Sequence, residues 1–178
     1  MDLKALYNIS YGLYVVASKK DGKLNGQISN TVMQVTSEPA QVAVCINKEN
    51  LTHEYIESSK VFAVSVLQQE TPMKFIGTFG FKSGRDIDKF EDIDYETGTT
   101  GSPLVLPYTL SCFECEVKGR MEAGTHTMFA GEVVGSRVLK EGDPMTYAYY
   151  HKVKNGKASE AAPTYRGNIE KEDKNGGK

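Results

Sequence analysis

Residues 12–23 read GLYVVASKKDGK, and this stretch decides how the chain begins to fold. Its first part, residues 12–18, is a run of β-branched and aromatic side chains, which favour strands. Asp21 and Gly22 then supply a strong signal for the tight turn of a β-hairpin. A second extended segment is therefore expected from about residue 24 to residue 35, so the protein should start with antiparallel strands.

Further strands are expected along the chain at residues 41–46, 61–67, 112–118 and 128–139. The first two are nearly continuous apolar runs, which are typical of strands buried on both faces. In the third, Phe113, Cys115 and Val117 alternate with polar residues and would share one face. Several short strands at this spacing predict a mainly β protein with a barrel or sandwich architecture.

Helices are expected to be few and short. Asn50 or Thr52 can cap a helix over residues 52–58. Thr71, which is followed by proline at the first helical position, predicts a second helix that extends to about residue 79. These helices would connect or flank strands, so they leave the mainly β prediction unchanged.

Composition and charge exclude several classes of protein. The 178 residues include 21 Lys and Arg against 23 Asp and Glu, so the chain has no excess of positive charge. It lacks the basic stripe that a nucleic-acid-binding protein needs to contact phosphates. No apolar run approaches the roughly 18 residues of a membrane-spanning helix, and the first residues lack the apolar core of a signal peptide. The three cysteines form no disulfide framework, so a reducing, cytoplasmic location is expected.

The chain length predicts one domain, and we place it at residues 1–165. Residues 166–178 are polar, end in glycines and lack apolar periodicity, so they are expected to be a disordered tail.

Cys112 and Cys115 form a Cys-x-x-Cys pair that could indicate a redox or zinc site. The pair lies in an alternating strand, where residues three apart point to opposite faces. No second pair completes a zinc site. The favoured interpretation is that both cysteines are buried structural residues.

Polar side chains crowd residues 23–39, although Val32, Met33 and Val35 require part of this segment to face a core. Two interpretations remain open: a solvated edge strand, or a strand whose amides and hydroxyls bind a polar, planar heterocycle. The side chains concerned are Asn25, Gln27, Ser29, Asn30, Thr31, Gln34, Thr36 and Ser37.

The turn after residues 41–46 is a candidate anion site, because open amides at a helix N-terminus attract phosphate. Lys48, Asn50 and Thr52 would add donors there, and a second cluster follows at Ser83, Arg85 and Lys89. The alternatives are an ordinary capped helix and a solvated run of charges. His126, in the turn at residues 124–127, could reach over a pocket mouth or be structural, like most single histidines.

Four segments in this order, residues 11–56, 75–90, 124–134 and 146–157, resemble the flavin reductase-like family of FMN-binding split barrels. The match covers about residues 3–165 and is closest to the flavin-binding part of high-molecular-weight rubredoxins and to flavoredoxin-like and ferric-reductase-like proteins. The resemblance implies a Greek-key split β-barrel with a few short helices. It also implies that FMN is the cofactor and that NADH or NADPH is the co-substrate.

The resemblance implies a set of cofactor-binding residues at matching positions: Gln27, Ile28, Asn30, Thr31, Cys45, Ile46, Asn47, Lys48, Asn50, Thr52, Ser83, Arg85 and Lys89. His126 is implied as the catalytic residue, near the approach of the nicotinamide. The family has Gly-Asp-His at this turn, whereas Thr125 replaces the acid here. No metal site is expected.

The implied function is an oxidoreductase that takes a hydride from NAD(P)H and passes electrons to free flavin, rubredoxin or a ferric complex. No cysteine follows Cys115, so this sequence holds no rubredoxin centre of its own. Either rubredoxin is a separate partner, or the chain is a simple reductase, or the sequence is part of a longer protein. The resemblance also implies a homodimer, for which Tyr147, Tyr149 and Tyr150 are either an apolar patch or core residues.

Three other interpretations stay open. The protein could be an FMN-containing electron carrier reduced by a partner protein, or a flavin-free β-barrel. It could also be a ferric reductase in which Cys45 and His126 contact iron.

Overall fold

The computed structural model describes residues 2–165, which are built around one antiparallel sheet of seven strands. In the sheet, the strands are ordered β2-β1-β5-β8-β9-β4-β3, and β6 and β7 form a separate two-stranded ladder. The strands are β1 (Tyr14–Lys20), β2 (Lys23–Ser29), β3 (Val32–Ser37), β4 (Ala40–Asn47), β5 (Val61–Leu67), β6 (Tyr95–Thr97), β7 (Pro103–Val105), β8 (Thr109–Ala123) and β9 (His126–Val138). The mainly β prediction is confirmed.

The sheet is forced to curl by the connection between its two edge strands. β2 and β3 lie at opposite edges, yet only Asn30 and Thr31 separate them in the chain. The three Cα–Cα steps from Ser29 to Val32 span at most about 11 Å. The two edges must therefore approach each other, and the N–H of Cys45 donates to the carbonyl of Thr31 at 3.1 Å. The result is a barrel that is open along one line, which we call the seam, between β2 and the end of β4.

Short helices flank the sheet: a 3₁₀ helix (Leu3–Asn8), α1 (Leu51–Ser59), α2 (Met73–Phe81) and α3 (Tyr147–Lys152). The predicted helices at residues 52–58 and up to about residue 79 are confirmed to within one or two residues. The predicted cap of the second helix is wrong. Pro72 is its N-cap, and the hydroxyl of Thr71 donates instead to the carbonyl of Gln68 at 2.6 Å.

The largest core cluster fills the barrel and includes the fully buried side chains of Phe62 and Phe129. Phe113, Cys115 and Val117 all belong to it or pack against it, as the alternation predicts. Cys112 lies in a different cluster, so the two sulfur atoms face apart and both thiols are free. Burial raises the pKa of the Cys115 thiol to about 12. The structural interpretation of both cysteines is confirmed.

The disordered tail predicted at residues 166–178 lies outside the described residues. The domain boundary predicted at residue 165 therefore stays a prediction. Within residues 2–165, no helix has the length and apolar character needed to cross a membrane.

We predict that Gly131→Ala destabilises the barrel by about 1–3 kcal/mol, because it overpacks the core. A Cβ atom at this position in β9 would lie 2.6 Å from Cε1 of Phe62 and 2.8 Å from Cβ of Cys115. Urea unfolding measures the loss. The matched control is Gly119→Ala in the neighbouring strand β8, where a Cβ atom meets nothing within 4 Å. Equal midpoints for the two variants would contradict the proposed packing.

Candidate functional site

A cavity of about 660 Å³ lies along the seam. This volume falls within the range of small-molecule sites. Its walls come from β2, the end of β4, the first turn of α1, the helices α2 and α3, and the chain after α3. The curling of the sheet therefore brings together segments that are far apart in the sequence.

The β2 wall carries two buried acceptor atoms that have no hydrogen-bond partner within the described residues, Oδ1 of Asn25 and Oε1 of Gln27. The amide nitrogen of Asn25 donates to Oγ1 of Thr52 at 2.8 Å, which ties β2 to the start of α1. A buried acceptor without a partner costs about 1–3 kcal/mol. Acceptors left open in a cavity wall fit a ligand that offers N–H or O–H groups.

Lys89 places a buried cation in the same cavity. Its side chain is 5% exposed, and Nζ donates to the carbonyl oxygens of Gly26 at 2.9 Å and Phe79 at 3.2 Å. Among residues 2–165, no carboxylate forms a salt bridge with it. Burial lowers the pKa of this amine to about 8. A buried cation that lacks a counter-charge favours an anionic ligand.

The N-terminus of α1 faces the cavity next to this cation. Asn50 and Thr52 line the cavity, and the side chain of Asn50 makes no capping hydrogen bond. Ser83, from the loop after α2, lines the same space. Together with Lys89, this end of the cavity combines a helix dipole, a hydroxyl and a positive charge, a set that suits a phosphate group.

His126 lies at the start of β9, after a turn in which Gly124 adopts a φ of +60°. Its Nε2 lies 3.2 Å from the carbonyl oxygen of Ala161, and its Nδ1 lies 2.8 Å from Oγ1 of Thr125. A carbonyl oxygen only accepts, so Nε2 carries the hydrogen, and in the neutral ring the Thr125 hydroxyl donates to Nδ1. Burial lowers the pKa of His126, and the bond to Ala161 partly opposes that shift.

The chain after α3 passes along the cavity, and we call residues 157–165 the strap. Asn30 Nδ2 donates to Oγ1 of Thr164 at 2.7 Å, and that hydroxyl donates to the Tyr147 hydroxyl at 2.9 Å. The Tyr150 hydroxyl donates to the carbonyl of Lys157 at 3.0 Å. Tyr147 and Tyr150 are buried, so of the two alternatives for these tyrosines the structure supports core packing.

Most of the residues implied by the resemblance line this cavity: Gln27, Ile28, Asn30, Cys45, Asn47, Asn50, Thr52, Ser83, Lys89 and His126. Burial raises the pKa of the Cys45 thiol. Sequence reasoning missed two features of the cavity. Asn25 was counted only as one of many polar side chains, and the strap has no motif that marks it.

The remaining implied residues lie outside the cavity lining. Ile46 is fully buried in the barrel core, and the Thr31 hydroxyl donates to Oδ1 of Asn30 at 3.0 Å. Two cations are exposed and paired with carboxylates, Lys48 with Glu122 and Arg85 with Glu54. An Arg or Lys head group has several N–H donors, so these ion pairs alone do not prevent a contact with a ligand.

Comparison with known proteins gives one family match and several close relatives. The model of the flavin reductase like domain matches residues 6–156. The chain is 50% identical over 165 residues to the ferric-chelate reductase (NAD(P)H) of Archaeoglobus fulgidus, covering 93% of this chain and 98% of that protein. It is 48% identical over 172 residues to the high molecular weight rubredoxin of Moorella thermoacetica, covering 97% of this chain and 75% of that protein.

Among solved structures, the fold matches that of the NADH:FAD oxidoreductase of Streptomyces globisporus with a TM-score of 0.74. The identity is 25%, and the match covers 83% of this chain and 87% of that one. The likeness confirms the expected split-barrel fold.

We predict that Lys89→Met removes a rise in the stability of the ligand-free protein between about pH 8 and pH 10.5. In this window the unfolded chain keeps the Lys89 proton and the folded protein has lost it, so unfolding binds a proton and stability increases with pH. The full rise is roughly 3 kcal/mol. Chemical unfolding at several pH values measures it as the difference between wild type and variant. The exposed Lys82→Met variant should keep the rise, and parallel pH curves for wild type and Lys89→Met would refute the assignment.

Proposed function

The chain belongs to the flavin reductase-like domain family, and we propose that it is an NAD(P)H-dependent flavin oxidoreductase with FMN as its resident flavin. The relatives named as a ferric-chelate reductase and as an NADH:FAD oxidoreductase support this activity. One observation carries the choice of ligand: a single cavity holds the Gln27 oxygen, which accepts no hydrogen bond among the described residues, and the buried Lys89, which has no carboxylate partner among them.

The residues present fit FMN. The oxygen atom of Gln27, which accepts no hydrogen bond among the described residues, suits the N–H edge of a flavin ring or the hydroxyls of its ribityl chain. Lys89, with the start of α1, suits the phosphate. We propose that the ring and ribityl chain contact Gln27, Ile28, Asn30, Cys45 and Asn47, and that the phosphate contacts Asn50, Thr52, Ser83 and Lys89.

When bound, FMN supplies the redox chemistry: it takes a hydride, with its two electrons, from reduced nicotinamide and passes the electrons to an acceptor. The protein binds and orients the reactants. Leu13, Ile76 and Phe79 form an apolar part of the wall that excludes water. The Cys45 thiol, whose pKa is raised by burial, stays protonated at neutral pH and leaves no buried charge in the wall. The N–H at Nε2 of His126, which contacts the Ala161 carbonyl in the structure, is the donor that would position the nicotinamide.

We propose that the electron acceptor is a rubredoxin. The relative that is named for rubredoxin extends beyond the 75% of its length that this chain matches. Free flavin and ferric complexes are the other acceptors that the relatives support. The three free thiols are compatible with work in a reducing cytoplasm.

We also propose that the protein is a homodimer. An apolar groove of about 340 Å³ lies beside the edge strand β3, between Val32, Val42, Phe113 and Val133. Met33, which lines it, is 47% exposed, and the neighbouring Val35 is 48% exposed. Exposed apolar side chains next to an apolar groove suit a self-complementary contact between two copies.

The function is tested with the purified full chain and added FMN. We expect FMN to bind, and we expect anaerobic NADH or NADPH to bleach the visible absorption of the bound flavin. His126→Ala should retain FMN but be reduced more slowly. Reduction by a partner protein only, with neither nucleotide active, would instead support an electron carrier. A chain that fails to bind FMN would support the flavin-free alternative.

For the dimer, we predict that Met33→Glu shifts the sedimentation coefficient from dimer to monomer, because a buried unpaired carboxylate is costly at an interface. Met121→Glu is the matched control, since Met121 is 55% exposed and does not line the groove. A wild-type protein that sediments as a monomer at all concentrations would disprove the proposal.

A further inference from the structure

Two side-chain donors converge on one backbone carbonyl in the cavity. Nδ2 of Asn47 lies 3.3 Å from the carbonyl oxygen of Ala161, and Nε2 of His126 lies 3.2 Å from the same oxygen. Asn47 and His126 are directly opposite each other in the ladder between β4 and β9. Neighbouring strands therefore hold both donors at a fixed separation.

Each donor is also oriented by a second contact. Oδ1 of Asn47 accepts the N–H of Glu49 at 3.0 Å, which turns Nδ2 toward the cavity. Thr125 contacts Nδ1 of His126 at 2.8 Å, which leaves Nε2 as the donor. The turn itself is held by the N–H of Lys48, which donates to the carbonyl of Thr125 at 3.0 Å. Because one carbonyl oxygen can accept two hydrogen bonds, the pair is a preformed site for such an oxygen.

The Ala161 carbonyl, which occupies this site in the structure, belongs to a segment that is held by few contacts. Ala161 has a small side chain, is partly exposed and lies in the strap, outside any helix or strand. Apart from the contacts of Ala161, the strap is held by one hydrogen bond at Lys157, two at Thr164 and the packing of Ala158. A segment with so few buried contacts opens locally at low cost in free energy.

We propose that Asn47 and His126 form a binding site for the carbonyl oxygen of a ligand amide, and that the Ala161 carbonyl fills this site only until the ligand arrives. The neutral ring of His126 has one hydrogen on Nε2, so the ring cannot donate to Ala161 and to a ligand at full strength together. Binding of the ligand therefore displaces the strap. The inference rests on the proposed function, which supplies two ligands with such an oxygen: the flavin ring and the carboxamide of nicotinamide.

Hydrogen–deuterium exchange of the strap in the full chain tests the proposal. Peptides covering residues 157–165 are followed in the free protein, with FMN, with NAD⁺ and with both. Faster exchange with FMN alone supports the proposal and assigns the site to a flavin carbonyl. Faster exchange only when NAD⁺ is also present supports it and assigns the site to the carboxamide.

Unchanged or slower exchange of the strap when both ligands are bound would overturn the inference and leave the proposed function intact. Failure of FMN to bind, measured by its absorbance after gel filtration, would overturn the proposed function and this inference with it. The two failures are therefore distinguishable.

A pair of variants provides an independent measurement. Thr164→Val removes the hydrogen bonds to Asn30 and Tyr147 without a large change in shape. The variant weakens the attachment of the strap, whose Ala161 carbonyl competes for the site. It should therefore bind the ligand that displaces the strap, FMN or NAD⁺, about fivefold more tightly or better. Thr97→Val, at an exposed threonine of β6 that does not line the cavity, should leave the affinity unchanged. Equal or weaker binding by Thr164→Val would count against displacement.

Discussion

Asn30 and Thr31 impose the constraint on which the rest of the molecule depends. They join strands that lie at opposite edges of a seven-stranded sheet, and the link is too short for that sheet to be flat. Closing the distance wraps the strands around Phe62 and Phe129, and it leaves a seam where the edges approach but do not pair. The cavity lies along this seam, so the fold and the site have one geometric cause.

The cavity is lined by groups that folding leaves incompletely satisfied. Within residues 2–165, Lys89 is buried among carbonyl groups and pairs with no carboxylate, and the buried oxygen atoms of Asn25 and Gln27 accept no hydrogen bond. Each of these costs stability in the isolated chain. The surrounding barrel, with its apolar core and long β8–β9 ladder, offsets that cost. A ligand that supplies the missing hydrogen bonds and counter-charge to these groups binds more tightly, and its binding stabilises the folded protein.

Local patterns in the sequence predicted the features that depend on neighbours in the chain. The turn at Asp21, the alternation around Cys115 and the helix after Asn50 were all predicted correctly. Features that depend on distant partners were not accessible in this way. Arg85 pairs with Glu54, and nothing in either local sequence indicates that contact. Tertiary packing alone places Asn25 and the strap at the site, and no local pattern in the sequence marks either of them.

The attachment of the strap to α3 has a consequence for selectivity. A carbonyl on a short tether acts at an effective concentration in the millimolar range, however dilute the protein is. Stray amides and carbonyl compounds of low affinity would have to exceed that local level before they could compete with Ala161. Only a molecule that gains additional contacts elsewhere in the barrel can do so. The Ala161 carbonyl would therefore select against ligands that contact only Asn47 and His126.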